Sequence, residues 1–303
     1  MELSGKDNYL SYFMNTSLFN HLPFFKGILS FSFQTRIVLK KHYLIFCSLA
    51  LLTAVILLGF IFTPYDPVET DFLNRLSPPS WQNWFGTDQM GRDIATRILY
   101  GAGWSVGLAL IVSTTGAVIG TIVGLLAGSL GRFVDGFCMR VTDSFFAFPE
   151  LIAAIVVTGV LGPNTVNMVI ALILVSWMRF ARLVRALTDD VKQRDYVLQA
   201  KLNRIPYLLI LTRHYIPNIV LSIIVVWTSS WSRTILSISG LSFLGFGVQP
   251  PQAEWGAMLL DGKPYMLTAP HVMIFPGVAV LITVLVLNLM GDHLRDYLQS
   301  LEK

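Results

Sequence analysis

Two short segments of this 303-residue chain carry the residue types from which a reactive centre is built. Gly86-Thr87-Asp88-Gln89-Met90-Gly91-Arg92 has the two-glycine spacing of a phosphate cradle. It fails chemically: Arg92 stands where a phosphate-binding Lys belongs, Asp93 replaces the Ser or Thr that holds magnesium, Asp88 repels phosphate, and no buried strand precedes it. Gly240-Leu241-Ser242-Phe243-Leu244-Gly245 approaches the turn that presents a nucleophilic serine, but its second glycine falls one residue late. A deep base is missing as well, because His21, His42, His214, His271 and His293 lie at the edges of the apolar stretches or outside them. Cys47 sits inside an apolar stretch and Cys138 beside a polar one, which suits neither a metal site nor a disulfide framework. The pattern predicts no catalytic residue, no metal site and no cofactor bound by this chain.

The elements that must position these residues are apolar. The chain is 54% hydrophobic, only 13% charged, and has a mean hydropathy of +0.62, which no ordinary soluble domain shows. A helix needs about 20 apolar residues to cross about 30 Å of hydrocarbon. Six stretches qualify: Tyr43 to Phe62, Trp104 to Gly128, Phe145 to Leu161, Thr165 to Ala181, Tyr215 to Ser239 and Val272 to Met290. The first is read as a retained helix, since 42 residues precede it and no small-x-small cleavage site follows it. The prediction is an all-α, six-span membrane protein: a tail over 1–42, a membrane domain over 43–303, a basic loop over 182–218, and two long loops over 63–103 and 240–271.

Charge orients it. With the N-terminus inside, 17 of the 22 Lys and Arg residues fall on the cytoplasmic side and only Arg75, Arg92, Arg97 and Lys263 outside, so both termini are predicted cytoplasmic. The formal charge of +4 then reflects basic loops beside anionic lipid and calls for no nucleic acid. In the tail, apolar and basic groups alternate, as in an interfacial helix or a weakly ordered, membrane-facing arm.

Ionisable groups in the spans are few. Arg233 is placed in the outer half of the fifth, facing a translocation path, or else snorkelling or held in a structural salt bridge. Glu150 follows Pro149 near the cytoplasmic end of the third, as a kink, an inner-gate contact or an interfacial carboxylate. Gly116, Gly120, Gly124 and Gly128 repeat every four residues and predict close helix packing, with pore lining the alternative. The two long loops, rich in Pro and Trp, suit either docking of an external protein or a structural cap.

The loop over 182–218 is the most informative segment. Leu183, Leu187, Val191, Leu198 and Leu202 recur at helical intervals between charges, predicting an amphipathic helix outside the bilayer, interrupted by Pro206. Asp195-Tyr196-Val197, His214 nineteen residues after that Asp, and Pro217-Asn218 resemble the cytoplasmic coupling loop of permease subunits in ATP-binding-cassette importers. The resemblance runs from about Tyr43 to Leu298. It includes Gly86-Thr87-Asp88, Gly91-Arg92-Asp93, Met139-Arg140 with Asp143, Ala147-Phe148-Pro149, Leu241 to Gly245, Gly247 to Pro251, Trp255-Gly256 and Asn288 to Asp296. These matches are specific to the dipeptide, oligopeptide and nickel branch, and Ala253 to Gly256 with Gln193 to Leu198 look slightly closer to its nickel members.

The resemblance implies a type I importer permease fold in a bacterial inner or plasma membrane, alternating access, and a peptide, nickel or metal-chelate substrate. It also implies partners: a second homologous permease, two ATPase subunits that hold ATP and magnesium, and an extracytoplasmic substrate-binding protein. Asp195, Tyr196, Val197, Ala200, Lys201, Leu202 and Arg204 are the ATPase-coupling candidates, with Tyr196, Val197 and Leu202 as apolar contacts and Lys201 and Arg204 as rim charges. Gln199-Ala200 stands where the family usually has Ala-Ala, and Arg204 where it usually has Gly. The helix should therefore stop at or before Leu202, with Asn203 and not Arg204 in the left-handed conformation. A secondary transporter and an intramembrane hydrolase are the rival readings. Six spans without a clear inverted repeat, beside a coupling-type loop, weigh against the first.

Overall fold

The computed structural model describes residues 65–301, with side chains through Leu298. The predicted tail and first span, Tyr43 to Phe62, lie outside the described residues. Those described are helical and contain no strand, only an isolated bridge between Thr87 and Asp93. In order, the helices are α1 (Ile94–Leu130), α2 (Arg132–Phe146), α3 (Glu150–Leu161), α4 (Thr165–Lys192), α5 (Asp195–Leu202), α6 (Tyr207–Ile210), α7 (Ile216–Phe243), α8 (Trp255–Gly262) and α9 (His271–Leu301). A π-helical run, Leu211–Tyr215, joins α6 to α7.

Four of these elements are long and apolar enough to cross a membrane: α1, α4, the continuous run Tyr207–Phe243, and α9. The bundle has two distinct ends. One, the cap end, carries residues 65–93 and 244–270; the other carries the short helices α5 and α6.

The third predicted span is not one helix. It is the bent pair α2 and α3, turned by 83° at Ala147-Phe148-Pro149. Pro149 lacks an N–H, and its extended conformation (φ −57°, ψ 130°) breaks the helix before Glu150. Two other boundaries also move. The Asp93 carboxylate accepts the Thr96 N–H at 2.7 Å, so α1 starts at Ile94 and takes in the last residues assigned to the first long loop. At the other end α4 runs without interruption to Lys192, so Leu183, Leu187 and Val191 belong to the fourth span and are not in one helix with Leu198 and Leu202.

The tightest contact in the bundle is α1 against α4, and glycine permits it. A Cβ on Gly116 would lie 2.2 Å from Ser176 Oγ, on Gly120 2.3 Å from the Trp177 carbonyl oxygen, on Gly124 2.6 Å from that of Ala181, and on Gly128 2.7 Å from Thr188 Cβ. In lipid no hydrophobic effect drives helices together, so such close backbone approach supplies the dispersion contacts that do. The main core continues from this seam, with Ile94, Val106 and Val112 of α1, Met168 and Leu172 of α4, Ile235 and Ile238 of α7, and Leu287 of α9.

Substituting Gly124→Leu should lower the thermal unfolding midpoint and yield, overpacking of this kind costing about 1–3 kcal/mol. Gly136→Ala, whose Cβ would meet nothing within 4 Å, should leave both unchanged or slightly raised. Unfolding of the detergent-purified protein followed by intrinsic Trp fluorescence reads both.

Candidate functional site

Three groups of residues hold the sequence-predicted positions. At the short-helix end, α4 stops at Gln193, and extended Arg194 precedes α5, whose first turn carries the exposed Asp195. The other end of α5 is a two-bond glycine-type cap built on an arginine. The Ile205 N–H bonds the Ala200 carbonyl at 3.1 Å, the Arg204 N–H bonds that of Lys201 at 3.0 Å, and Arg204 is left-handed at φ 54°. Helix α5 does stop at Leu202, but Asn203 stays at φ −75°, so the expected conformation falls one residue late. The pull of Ile205 into the core decides this: one residue earlier, the apolar C″ position would be Arg204, and the charge would turn inward.

Val197 and Ala200 are 0% and 5% exposed and pack with Val184, Val191, Ile210, Tyr215 and Ile219. Val197 therefore contacts its own bundle and is unavailable as an outward-facing contact. The outward apolar face consists of Leu202 (82% exposed), Leu198, Tyr196 and, from α6, Leu208. Tyr196 leans on His214, ring centroids 5.6 Å apart, which ties the start of α5 to the run entering α7. Lys192 Nζ donates to the Gly128 carbonyl at 3.1 Å, joining the ends of α4 and α1. Lys201 is exposed, and partial burial together with the charge of Lys192 lowers its pKa below the usual lysine value.

At the cap end the phosphate-loop imitation closes on itself. The Asp88 carboxylate accepts the N–H groups of Met90 (2.8 Å) and Arg92 (3.0 Å) and pairs with Arg92 Nε at 2.6 Å. The loop's own anion fills the nest that a phosphate would need. Gly91, at φ 76°, has no room for a side chain, since its Cβ would lie 1.7 Å from the Asp71 carbonyl oxygen. Arg97 reaches the Pro67 carbonyl at 2.8 Å. Glu254 is buried and accepts three donors: Gly256 N–H at 3.0 Å, Ala257 N–H at 2.9 Å and Ser105 Oγ at 3.1 Å. Beside it, Trp255 Nε1 bonds the Ile98 carbonyl at 3.0 Å. Charge and aromatic motifs that read as surface features thus anchor the loop ends to α1. Ser242 is buried too, and its Oγ accepts the Val248 N–H at 3.3 Å.

In the middle of the bundle Glu150 forms an ion pair with Arg179, a residue counted with the cytoplasmic-side charges although it lies within the fourth predicted span. The pair borders a cavity of about 320 Å³ at the α2–α3 break. Arg233, exposed on α7, lies in electrostatic reach of both. No spacing signal within one helix could have found Arg179, because it is brought to Glu150 by the turn at Gly162 to Asn164 that lays α4 against α3.

These features define an all-helical membrane subunit with a rigidly held helix projecting from one end and no reactive centre assembled among the described residues. The chain belongs to the family of binding-protein-dependent transport system inner membrane components, which matches residues 120–301. It is 38% identical over 263 residues to the dipeptide transport system permease protein DppC of Alkalihalophilus pseudofirmus, covering 86% of each chain. Its identity to the nickel transport system permease protein NikC of Escherichia coli K12 is 38% over 250 residues, covering 82% of this chain and 90% of that protein. For the glutathione transport system permease protein GsiD of Pectobacterium atrosepticum the identity is 40% over 266 residues, covering 87% and 88%. The inward-facing MetNI methionine ABC transporter shares the fold, with a TM-score of 0.53 at 15% identity, covering 67% of this chain and 97% of that one. The chain is a permease subunit of an ATP-binding-cassette importer; ATP hydrolysis lies on separate subunits.

Truncating Val197 to Ala should destabilise the purified chain by about 2 kcal/mol, two buried methyl groups plus a residual void. Leu202→Ala should leave its unfolding midpoint unchanged, because that side chain touches little of its own bundle.

Proposed function

We propose that this chain forms one half of the translocation path of a bacterial inner- or plasma-membrane importer, its other half being a second homologous permease. Its cargo is a small peptide or a nickel or other metal chelate, handed over by an extracytoplasmic binding protein. Support for the cargo comes from the dipeptide, nickel and glutathione permeases to which the chain is similar. Two ATPase subunits hold ATP and magnesium, and this chain binds no cofactor. Residues 182–218 and both termini face the cytoplasm, while the loops over 63–103 and 240–271 face outward.

The observation that carries the reading is the outward apolar face of α5. A helix whose inner residues, Val197 and Ala200, are locked into the bundle while Leu202, Leu198 and Tyr196 remain exposed is built to receive a partner and pass on its motion. The ATPase groove takes that face, with Lys201 and Arg204 at its rim. When ATP draws the ATPase subunits together, α5 moves as one piece with α4 and α7, whose far halves line the path. Alternating access follows from that rocking.

Truncating a buried apolar anchor costs more than removing an exposed charge, since rim pairs are worth about 0–1 kcal/mol. Tyr196→Ala and Leu202→Ala should therefore abolish co-purification of the ATPase subunits and substrate-stimulated ATP hydrolysis, and Lys201→Ala should change either by less than about threefold. The reverse order would overturn the docking face.

Orientation has its own test. With Cys47 and Cys138 replaced by Ser, Leu73→Cys should react with an impermeant maleimide in intact spheroplasts and Gln193→Cys only after permeabilisation. Reaction of both before permeabilisation would contradict the topology.

A further inference from the structure

Three ion pairs run between the bent α2–α3 element and successive turns of α4: Asp135 with Arg185, Asp143 with Arg182, and Glu150 with Arg179. The first two lie toward the short-helix end. The third does not. Counted at the helical rise, Glu150 is about 17 Å from the far end of α3, Arg179 about 21 Å from the same end of α4, and Arg233 about 15 Å from the same end of α7. Within about 30 Å of hydrocarbon, all three fall near mid-depth.

Charged side chains at that depth do not face lipid; they face a cavity or another chain. A cavity is present beside Glu150 and Arg179, lined also by Phe146, Pro149, Val175 and Met178; Arg233 lies outside that lining, exposed on α7 and in electrostatic reach of the pair. Glu150 neutralises Arg179. Among the described residues no hydrogen bond or ion pair engages the guanidinium of Arg233, and the three groups sum to one positive charge. A guanidinium presents a fork of donors that matches a carboxylate in two-point contact.

We infer that Glu150, Arg179 and Arg233 form a mid-membrane station that takes a carboxylate of the passing substrate on Arg233, with Glu150 holding Arg179 in place. The inference rests on the permease reading and narrows its cargo. A bare divalent cation meets net positive charge at this station, whereas the terminal carboxylate of a peptide, or the carboxylates of a metal chelator, meet their counter-ion. Arg233 and not the Glu150–Arg179 pair is the discriminating group, because only its charge is uncompensated.

The test uses the complete complex with its binding protein in proteoliposomes, at saturating cargo-loaded binding protein and internal ATP. Four cargoes are compared: a free dipeptide, its C-terminal amide, nickel chloride, and nickel with a tricarboxylate chelator. The free dipeptide and the chelate distinguish the two sources of the carboxylate. Arg233→Gln should reduce import of the carboxylate cargo about tenfold or more, while Arg233→Lys, which keeps the charge, should retain at least a third of it. Co-purification of the subunits checks assembly of each variant. Wild-type import of that cargo by Arg233→Gln, or an equal loss in Gln and Lys variants, would overturn the station and leave the permease reading standing. Failure of the wild-type complex to import any of the four with ATP would remove both.

Discussion

The backbone contact between α1 and α4 is what the rest of this structure depends on. Where lipid surrounds a helix, apolar side chains gain nothing by facing one another in place of lipid, and only close, complementary packing holds a bundle together. The four glycines of α1 bring α4 in until a single added methyl would collide with its backbone, at Gly120 and Gly124, or with the Ser176 and Thr188 side chains, at Gly116 and Gly128. Everything else that matters hangs on α4. Its arginines hold α2 and α3, its last turn bonds the end of α1 through Lys192, and its continuation delivers α5 outside the spans.

That arrangement explains how a helix of eight residues is held rigidly outside the spans. Alone it would be too short to persist in water. Here its inner face is fixed by Val197 and Ala200, its end by the cap at Arg204 and Ile205, and its start by the contact between Tyr196 and His214. A push on its outer face is therefore felt by α4 and α7 together. The bend at Ala147 to Pro149 is the complementary feature: it starts α3 at Glu150, beside Arg179 of α4 and the cavity the pair borders.

The cap end works in the opposite sense, as a fixed frame. Buried Asp88, Arg92 and Glu254 would be costly if unpaired, but each carboxylate is saturated by backbone or side-chain donors, and these bonds pin both long loops to the first turns of α1. The same end leaves Leu73, Trp81 and Trp84 of the first loop exposed on a surface held to α1.

The sequence by itself determined the class of this protein. Apolar runs of membrane-crossing length, the glycine repeat of α1 and the ordered loop motifs depend only on local composition and spacing, so they could be read without coordinates. The end of α5 at Leu202 was legible for the same reason, through Pro206 and the missing glycine. What only the tertiary structure decided is direction. Val197 looks like a contact residue in a polar segment, yet it points inward because the π-helical run returns α7 beneath it. The left-handed residue is Arg204 and not Asn203, because burying Ile205 outweighs the intrinsic preference for Asn. Arg179 and Glu150, 29 residues apart, meet because the chain turns back at Gly162 to Asn164 and lays α4 against α3. Periodicity reports which residues share a face of one helix; which neighbour that face meets is set by packing between helices, and no local pattern encodes it.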